Sequence, residues 1–374
     1  MDFPQNMSME EAFALAEAEA KLRQAIQESN ARFEAAVLPN RYNEDWRFGS
    51  PNKYAAALAE LLQSDAVSQG ESLVQHDNGA AVLVCKEEED LLQTELLMPS
   101  IGSDALLGMH IKRFGSGYAL YIEENTKEPI LLTYNASGLY TPSTFIMLAP
   151  GVKAHVIEHH NGTSEEAALF VTRNIHVAEG AELKVELHSK GAARYMCITN
   201  IQNMGGKVHH LTAHESHAWA REETIAEICG VTENTAINLY SANRLHGNAV
   251  LDQHTRQIHH LGGAASDLLY KNVVDDNATA IFAGNIYVAE GAHYTDAYQT
   301  NRNMLLSEKA TVHSLPGLEI LADKVKCSHG SASAPMDEEQ LFYLTSRGIA
   351  ERDAQLLVAD GFLADAVDKF NNAE

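Results

Sequence analysis

Asn174–Ala181 reads NIHVAEGA and Asn285–Ala292 reads NIYVAEGA, identical at seven of eight positions and 111 residues apart. Each copy joins the end of one apolar run to the start of the next through a small, acidic, glycine-containing turn. Weaker echoes are MLAPGVKAHV at Met147–Val156 and LLSEKATVHS at Leu305–Ser314. Strand–turn–strand units that return along the chain without hairpin signals suit a stacked solenoid, in which each coil buries its inward side chains on its neighbours. The units are irregular and carry no propeller signature. The pattern therefore favours a β-helix, with a sandwich or barrel as the alternative.

Three regimes surround these repeats. Over residues 1–75 the expected structure is helical. Ser8–Ala36 contains neither Gly nor Pro, and Leu15, Leu22, Ile26 and Phe33 recur at helical spacing. Ser8 and Glu11 form a capping-box pattern, Pro39 stops the helix, and a second helix is expected over about 52–62. Residues 76–330 hold short alternating apolar segments broken by Gly, Asn and Asp, such as Ala80–Val84, Tyr118–Ile122, Ile130–Tyr134, Ala168–Val171, Leu183–Leu187 and Ile281–Tyr287. They predict an all-β unit without βαβ crossovers. Residues 331–374 return to helix. Asp337 and Gln340 make a capping box, Leu341, Tyr343 and Leu344 supply an apolar face, and Gly348 suits a left-handed C-cap. A further helix is expected from about Glu351 to Phe370, with Leu356, Leu357, Phe362, Leu363 and Val367 apolar. This helical pair reads either as a partner-docking surface or as a cap over the open end of the solenoid.

The 374 residues carry 51 Asp+Glu against 27 Lys+Arg, a formal charge of −24. That excess argues against nucleic acid and anionic membrane surfaces, both of which require cationic contacts. A β-helix enzyme acting on acidic polysaccharide is disfavoured for the same reason. No apolar run approaches the roughly 20 residues of a membrane span. The N-terminus lacks the features of a secretory signal. Cys85, Cys197, Cys229 and Cys327 share no short spacing, so an intracellular, reduced, cytoplasmic protein is expected.

Nucleotide and hydrolase motifs are missing. Gly205-Gly206-Lys207 is followed by Val208 and is no P-loop, and His214-Glu215-Ser216-His217 is one residue short of a zinc-protease helix. The 18 histidines cluster at His159/His160, His209/His210/His214/His217 and His254/His259/His260. Adjacent strand residues point to opposite faces, so His209 and His210 do not both face inward. A transition-metal site in the 209–217 group is one reading, and hydrogen-bonded interior histidines the plainer one. Cys327 and His329 sit at i, i+2, on one face of an extended chain, where the β regime gives way to helix. Thiolate and imidazole are side chains that hold iron, although on the residues alone a buried cysteine beside a hydrogen-bonded histidine is the plainer reading.

The stretch LEILADKVKCSHGSASAPMDEEQLFYLTSRGI, Leu318–Ile349, resembles the C-terminal signature of the SufB/SufD family of iron–sulfur cluster assembly proteins. Val274–Ser307, Asp252-Gln253-His254-Thr255 and Asn43–Phe48 resemble other parts of the family pattern. The KCSHG form and the short chain are most like the SufD branch. The resemblance implies a right-handed parallel β-helix flanked by N- and C-terminal helical regions. It also implies a non-catalytic scaffold that pairs with a SufB-type paralogue, binds the ATPase SufC and supports iron acquisition. No cofactor would be held stably, only a transient iron or iron–sulfur cluster at the SufB–SufD interface. His329, with Cys327 beside it, would lie at that interface. Asp337, Leu341, Phe342, Leu344, Arg347, Leu356 and Phe362 would fall on the SufC-docking helices. A SufB-like scaffold carrying the cluster itself is the alternative, and a homodimer is expected of the isolated chain. Cys197 and Cys229 receive no role. Pro335 departs from the family pattern just ahead of the docking helix.

Overall fold

The computed structural model describes residues 24, 27–40, 42–49, 51–64, 69–76, 82–85, 98–113, 117–164, 166–215 and 217–373. The expected capping box at Ser8 and the positions Leu15, Leu22 and Ile26 lie outside them. Residues 27–35 are helical.

Nineteen strands are described. In chain order they begin with β1 (Gly70–Gln75), β2 (Val82–Cys85), β3 (Gly117–Ile122), β4 (Ile130–Ala136), β5 (Leu139–Tyr140) and β6 (Ser143–Leu148). They continue with β7 (Lys153–Gly162), β8 (Ala168–Val177), β9 (Glu182–Lys190), β10 (Arg194–Met204), β11 (Lys207–Glu215), β12 (Trp219–Gly230) and β13 (Ala236–Leu245). The last are β14 (Val250–His259), β15 (Ala265–Val274), β16 (Thr279–Val288), β17 (Asp296–Leu305), β18 (Thr311–Ile320) and β19 (Lys326–Pro335). Two sheets result. Sheet A runs β1-β4-β7-β9-β11-β13-β15-β17-β19, and sheet B runs β18-β16-β14-β12-β10-β8-β6-β3-β2. Apart from the antiparallel pairs β1–β4 and β2–β3, pairing is parallel and each coil contributes one strand to each sheet. This is a parallel β-solenoid.

The repeat that opened the sequence reading now has a geometric cause. Its two copies end β8 and β16, four steps apart in sheet B, so 111 residues span four coils of about 28. In both, an i→i+3 bond closes the turn: Ala181 N–H to Ala178 O (3.2 Å) and Ala292 N–H to Ala289 O (3.1 Å). The weaker echoes close the same way, Val152 on Ala149 and Ala310 on Ser307. Gly151, Gly180 and Gly291 hold φ of +73°, +67° and +82°, a left-handed corner that glycine adopts without a Cβ clash.

Between the sheets, Leu120, Leu132, Val156, Val171, Leu183, Val185, Ile201, Val208, Leu239 and Leu268 are among the inward side chains of one continuous core. Each such residue is worth roughly 1.5–3 kcal/mol relative to exposure. Helices cover the outer faces. Helix α1 (Pro51–Gln63) and helix α2 (Asp104–Arg113) lie on sheet B, where Trp46, Leu58, Leu62, Leu106 and Leu107 meet Phe170, Met196, Ile198 and Trp219. Helix α2 falls inside the stretch read as all-β. Its Gly108 lets Phe33 approach, since a Cβ there would stand 2.9 Å from the Phe33 Cβ.

Arg221, outward on β12, fastens this N-terminal segment. It is fully buried, bonded to Glu223 (2.8 Å) and Asp252 (2.7 Å), donates to the carbonyls of Asp45 and Ile101, and lies 3.9 Å over the Trp46 ring. At the C-terminus, helix α3 (Glu338–Ser346) and helix α4 (Glu351–Asn371) follow β19. Helix α4 lies across β11, β13 and β15 of sheet A, with Ala366 and Phe370 against Leu211, Tyr240 and Leu269. It covers a flank, which overturns the reading of this pair as a cap over the solenoid's end.

Candidate functional site

Two surfaces gather the residues that the sequence singled out. The first is the last coil. On β17, Ala297, Gln299, Asn301 and Asn303 are buried and inward, and β19 pairs with it in register, Ala297 opposite Cys327 and Gln299 opposite His329. Cys327, His329, Ser331 and Ser333 therefore occupy inward positions of a coil that, among the described residues, no further coil covers. His329 is exposed, and Cys327 is half-buried against the cluster of Ile286, Val288, Ala292 and Ala297. Burial pushes the Cys327 thiol up. Strand β18 is likewise nowhere fully buried. Cys327 and His329 share one face, as the i, i+2 spacing predicts.

The second surface is α3. Asp337 caps it by accepting from the Glu339 N–H (2.9 Å), and Pro335 ends β19 ahead of it. Gly348 holds φ +88° after the helix, the expected left-handed corner. No α3 residue is buried. Phe342 is 74% exposed and Tyr343 58% exposed, flanked by Glu338 and Glu339, while the Arg347 guanidinium lies 5.2 Å over the Tyr343 ring. Leu341, Leu344 and Leu356 are partly buried. Phe362 belongs to the chain's own packing: Lys271 Nζ sits 4.6 Å over its ring and donates to its carbonyl (2.9 Å). Ion pairs Arg244–Asp360, Lys271–Asp365 (2.7 Å) and Arg352–Asp275 (3.2 Å) hold α4 to the solenoid. Helix α4 is thus the anchor and α3 the element presented to solvent.

A third feature went unread in the sequence. The lumen of the middle coils carries a buried polar line. Arg173 donates to Glu158 from Nη2 (2.8 Å) and Nε (3.0 Å), and from Nη1 to His210 Nε2 (2.8 Å). A guanidinium only donates, so His210 is neutral at Nε2. Burial and Arg173 push His210 down to about 3. Burial drives the Glu158 carboxyl up, but Arg173 and His160 outweigh it and hold it at about 2. Glu222 is also held at about 2, burial being outweighed by His214, His210 and the Gln253 amide.

From Glu222 the line runs through Gln253 (2.7 Å), Asn243 (2.9 Å), Asn272 (2.7 Å) and Asn303 (2.8 Å) to Ser333 Oγ (3.1 Å) on the last coil. The histidines of the 209–217 group belong here or beside it. His210 meets Arg173, His214 meets Glu222 (2.8 Å), His217 meets Ser189 (2.8 Å), and His209 points the other way, to Asn238. They are hydrogen-bonded members of the fold, and among the described residues they do not form a metal-ligating group. Cys197 is buried beside Arg173 and Thr199, and burial pushes its thiol up to about 12. The signal for this line was present as charged and amide residues at inward alternating positions, but the partners lie on other strands, across the lumen or in the next coil.

Comparison with known proteins adds the family context. A family model described as "SUF system FeS cluster assembly, SufBD core domain" matches residues 131–362. The Escherichia coli iron–sulfur cluster assembly protein SufD is 35% identical over 225 residues, covering 58% of this chain and 52% of that protein. A SufBD family protein of Synechocystis is 39% identical over 138 residues, 37% of this chain and 30% of that protein. One from Pyrococcus horikoshii is 28% identical over 346 residues, 83% and 72% respectively. The match thus spans about half the length of the E. coli relative and less of the Synechocystis one.

Proposed function

This chain belongs to the SufBD family of the SUF iron–sulfur cluster assembly system, and from that premise we propose that it is a non-catalytic, SufD-like scaffold subunit. In this reading the last coil meets a SufB-type paralogue, with His329 and Cys327 at the seam where iron or a nascent cluster passes. Helix α3, steadied by α4, receives the SufC-type ATPase, which supplies the energy. The chain works in the cytoplasm and, isolated, pairs with a second copy through the same coil.

The observation that carries the reading is the open last coil. An uncovered terminal coil exposes inward side chains and, on its outer edge, unpaired strand groups, a template for another chain. That Cys327 and His329 fall on it supports the choice of seam. Among the described residues no helix is long and apolar enough to cross a membrane. The test is co-expression with SufB- and SufC-type partners from the native host. One complex containing all three chains is expected, with His329→Ala retaining the complex but losing cluster formation in cells that depend on this system. Purification of this chain alone, or undiminished cluster assembly by the variant, would reject the assignment.

A further inference from the structure

On the outer face of sheet B, away from the last coil, Glu227, Cys229 and His260 bring a carboxylate oxygen, a thiol sulfur and an imidazole nitrogen within 4.8 Å of one another. Each placement has a cause. Glu227 and Cys229 are i, i+2 on β12 and share the outward face, while Ile228 between them is buried in the lumen. At this point β12 carries one residue more than β10: Asn203 pairs with Ile228 but Met204 with Gly230, so Cys229 is the bulged, unpaired position. Bulges re-aim side chains. Gly230 permits the bulge, because a Cβ there would stand 2.4 Å from the Met204 carbonyl oxygen. His260 follows β14, and its N–H bonds to Ile228 O (3.2 Å), which sets its ring beside both residues. Its Nε2 is 2.8 Å from Glu227 Oε2.

We propose that Glu227, Cys229 and His260 form a three-ligand site for a borderline divalent transition ion of the zinc(II), cobalt(II) or iron(II) class. The donor set is the argument. Thiolate and imidazole together select such ions over magnesium or calcium, and three protein ligands leave a fourth, tetrahedral position open to water or an incoming ligand. Cysteine adds nothing to a surface Glu–His ion pair, whereas it completes a metal site. Among the described residues Glu227 pairs with His260 and with no lysine or arginine, so no fixed cation competes for the position. His260 is 46% exposed and Glu227 18%, which leaves an entry path while Cys229 stays half-buried. The site requires neither partner of the proposed scaffold and stands independently of that role.

The experiment is anaerobic titration of the reduced, metal-stripped full chain with Co²⁺, in a Cys327→Ser background so that the last coil contributes no thiolate. Expected are a saturable thiolate-to-cobalt charge-transfer band with tetrahedral ligand-field absorption at one ion per chain, and its displacement by Zn²⁺. Cys229→Ser should abolish the charge-transfer band, and His260→Ala or Glu227→Gln should weaken binding about tenfold or more. Unfolding midpoints matching the parent chain would establish that these variants fold. Absence of a saturable band, or a band untouched by Cys229→Ser and His260→Ala, would overturn the site.

Discussion

The middle coils and the last coil are built from the same kind of inward residues, yet they meet opposite fates. Between β7 and β15 the inward glutamate, arginine, histidine and asparagine side chains find partners across the lumen or one coil away and are sealed from water. On β19 the equivalent positions are Cys327, His329, Ser331 and Ser333; among the described residues no coil follows, so His329 and the two serines are exposed and Cys327 is only half-buried. Position within the stack, rather than residue type, decides whether a polar group is structural or accessible. The middle coils carry stability, and the last coil is free to carry contacts.

Acidification attacks the middle coils along their whole length and is expected to have the largest effect. His210 and His217 are depressed to about 3, and His209 and His259 to about 4, chiefly by burial. Their contribution is present above the ordinary histidine pKa of about 6.5 and is lost as pH falls from there through those values. Glu158 and Glu222, held at about 2, add a second loss between their unfolded value of about 4.5 and pH 2. The urea midpoint should fall progressively below pH 6.5, and a flat midpoint down to pH 4 would contradict the sealed lumen.

Next in size is Arg173→Met. It leaves Glu158 as a buried charge without its guanidinium, next to His160 alone among basic side chains, and should cost about 3–5 kcal/mol, most of it recovered by adding Glu158→Leu. Urea unfolding of the single and double variants measures both.

Phe370→Ala removes the aromatic that seats α4 on Leu211, Tyr240 and Leu269. A loss of about 3 kcal/mol is expected, with ATPase binding weakened as well. Smallest in stability are Phe342→Ala on α3 and His329→Ala on the last coil, each within about 0.5 kcal/mol of the parent chain. Their effects should appear in binding: ATPase capture lost with the first, cluster formation lost with the second. A large drop in unfolding midpoint for either would erase the contrast between sealed and open coils.

The coil turn was legible because its chemistry is local. A left-handed corner selects glycine, and two copies four coils apart kept nearly the same eight residues. The C-terminal helices were legible for the same reason, through Asp337 and Gly348. Helix α2 was not. Its ten residues include Gly108 and His110, and its apolar face is explained only by the sheet beneath it. The Glu158–Arg173 pair was not legible either: alternation places both residues inward, but only the coil register shows that they meet. The Glu227–Cys229–His260 grouping depends on a one-residue bulge, which no spacing rule announces. The side on which α4 packs was equally hidden, since its apolar positions fit a cap as well as a flank.

Helix α4 crosses three neighbouring strands of sheet A and is tied by ion pairs to β13, β15 and the turn after β15. It therefore acts as a splint laid across the grain of the stack. Any pull on α3 is delivered sideways into several coils at once. A load on α3 is therefore shared among the coils that α4 spans instead of falling on a single strand.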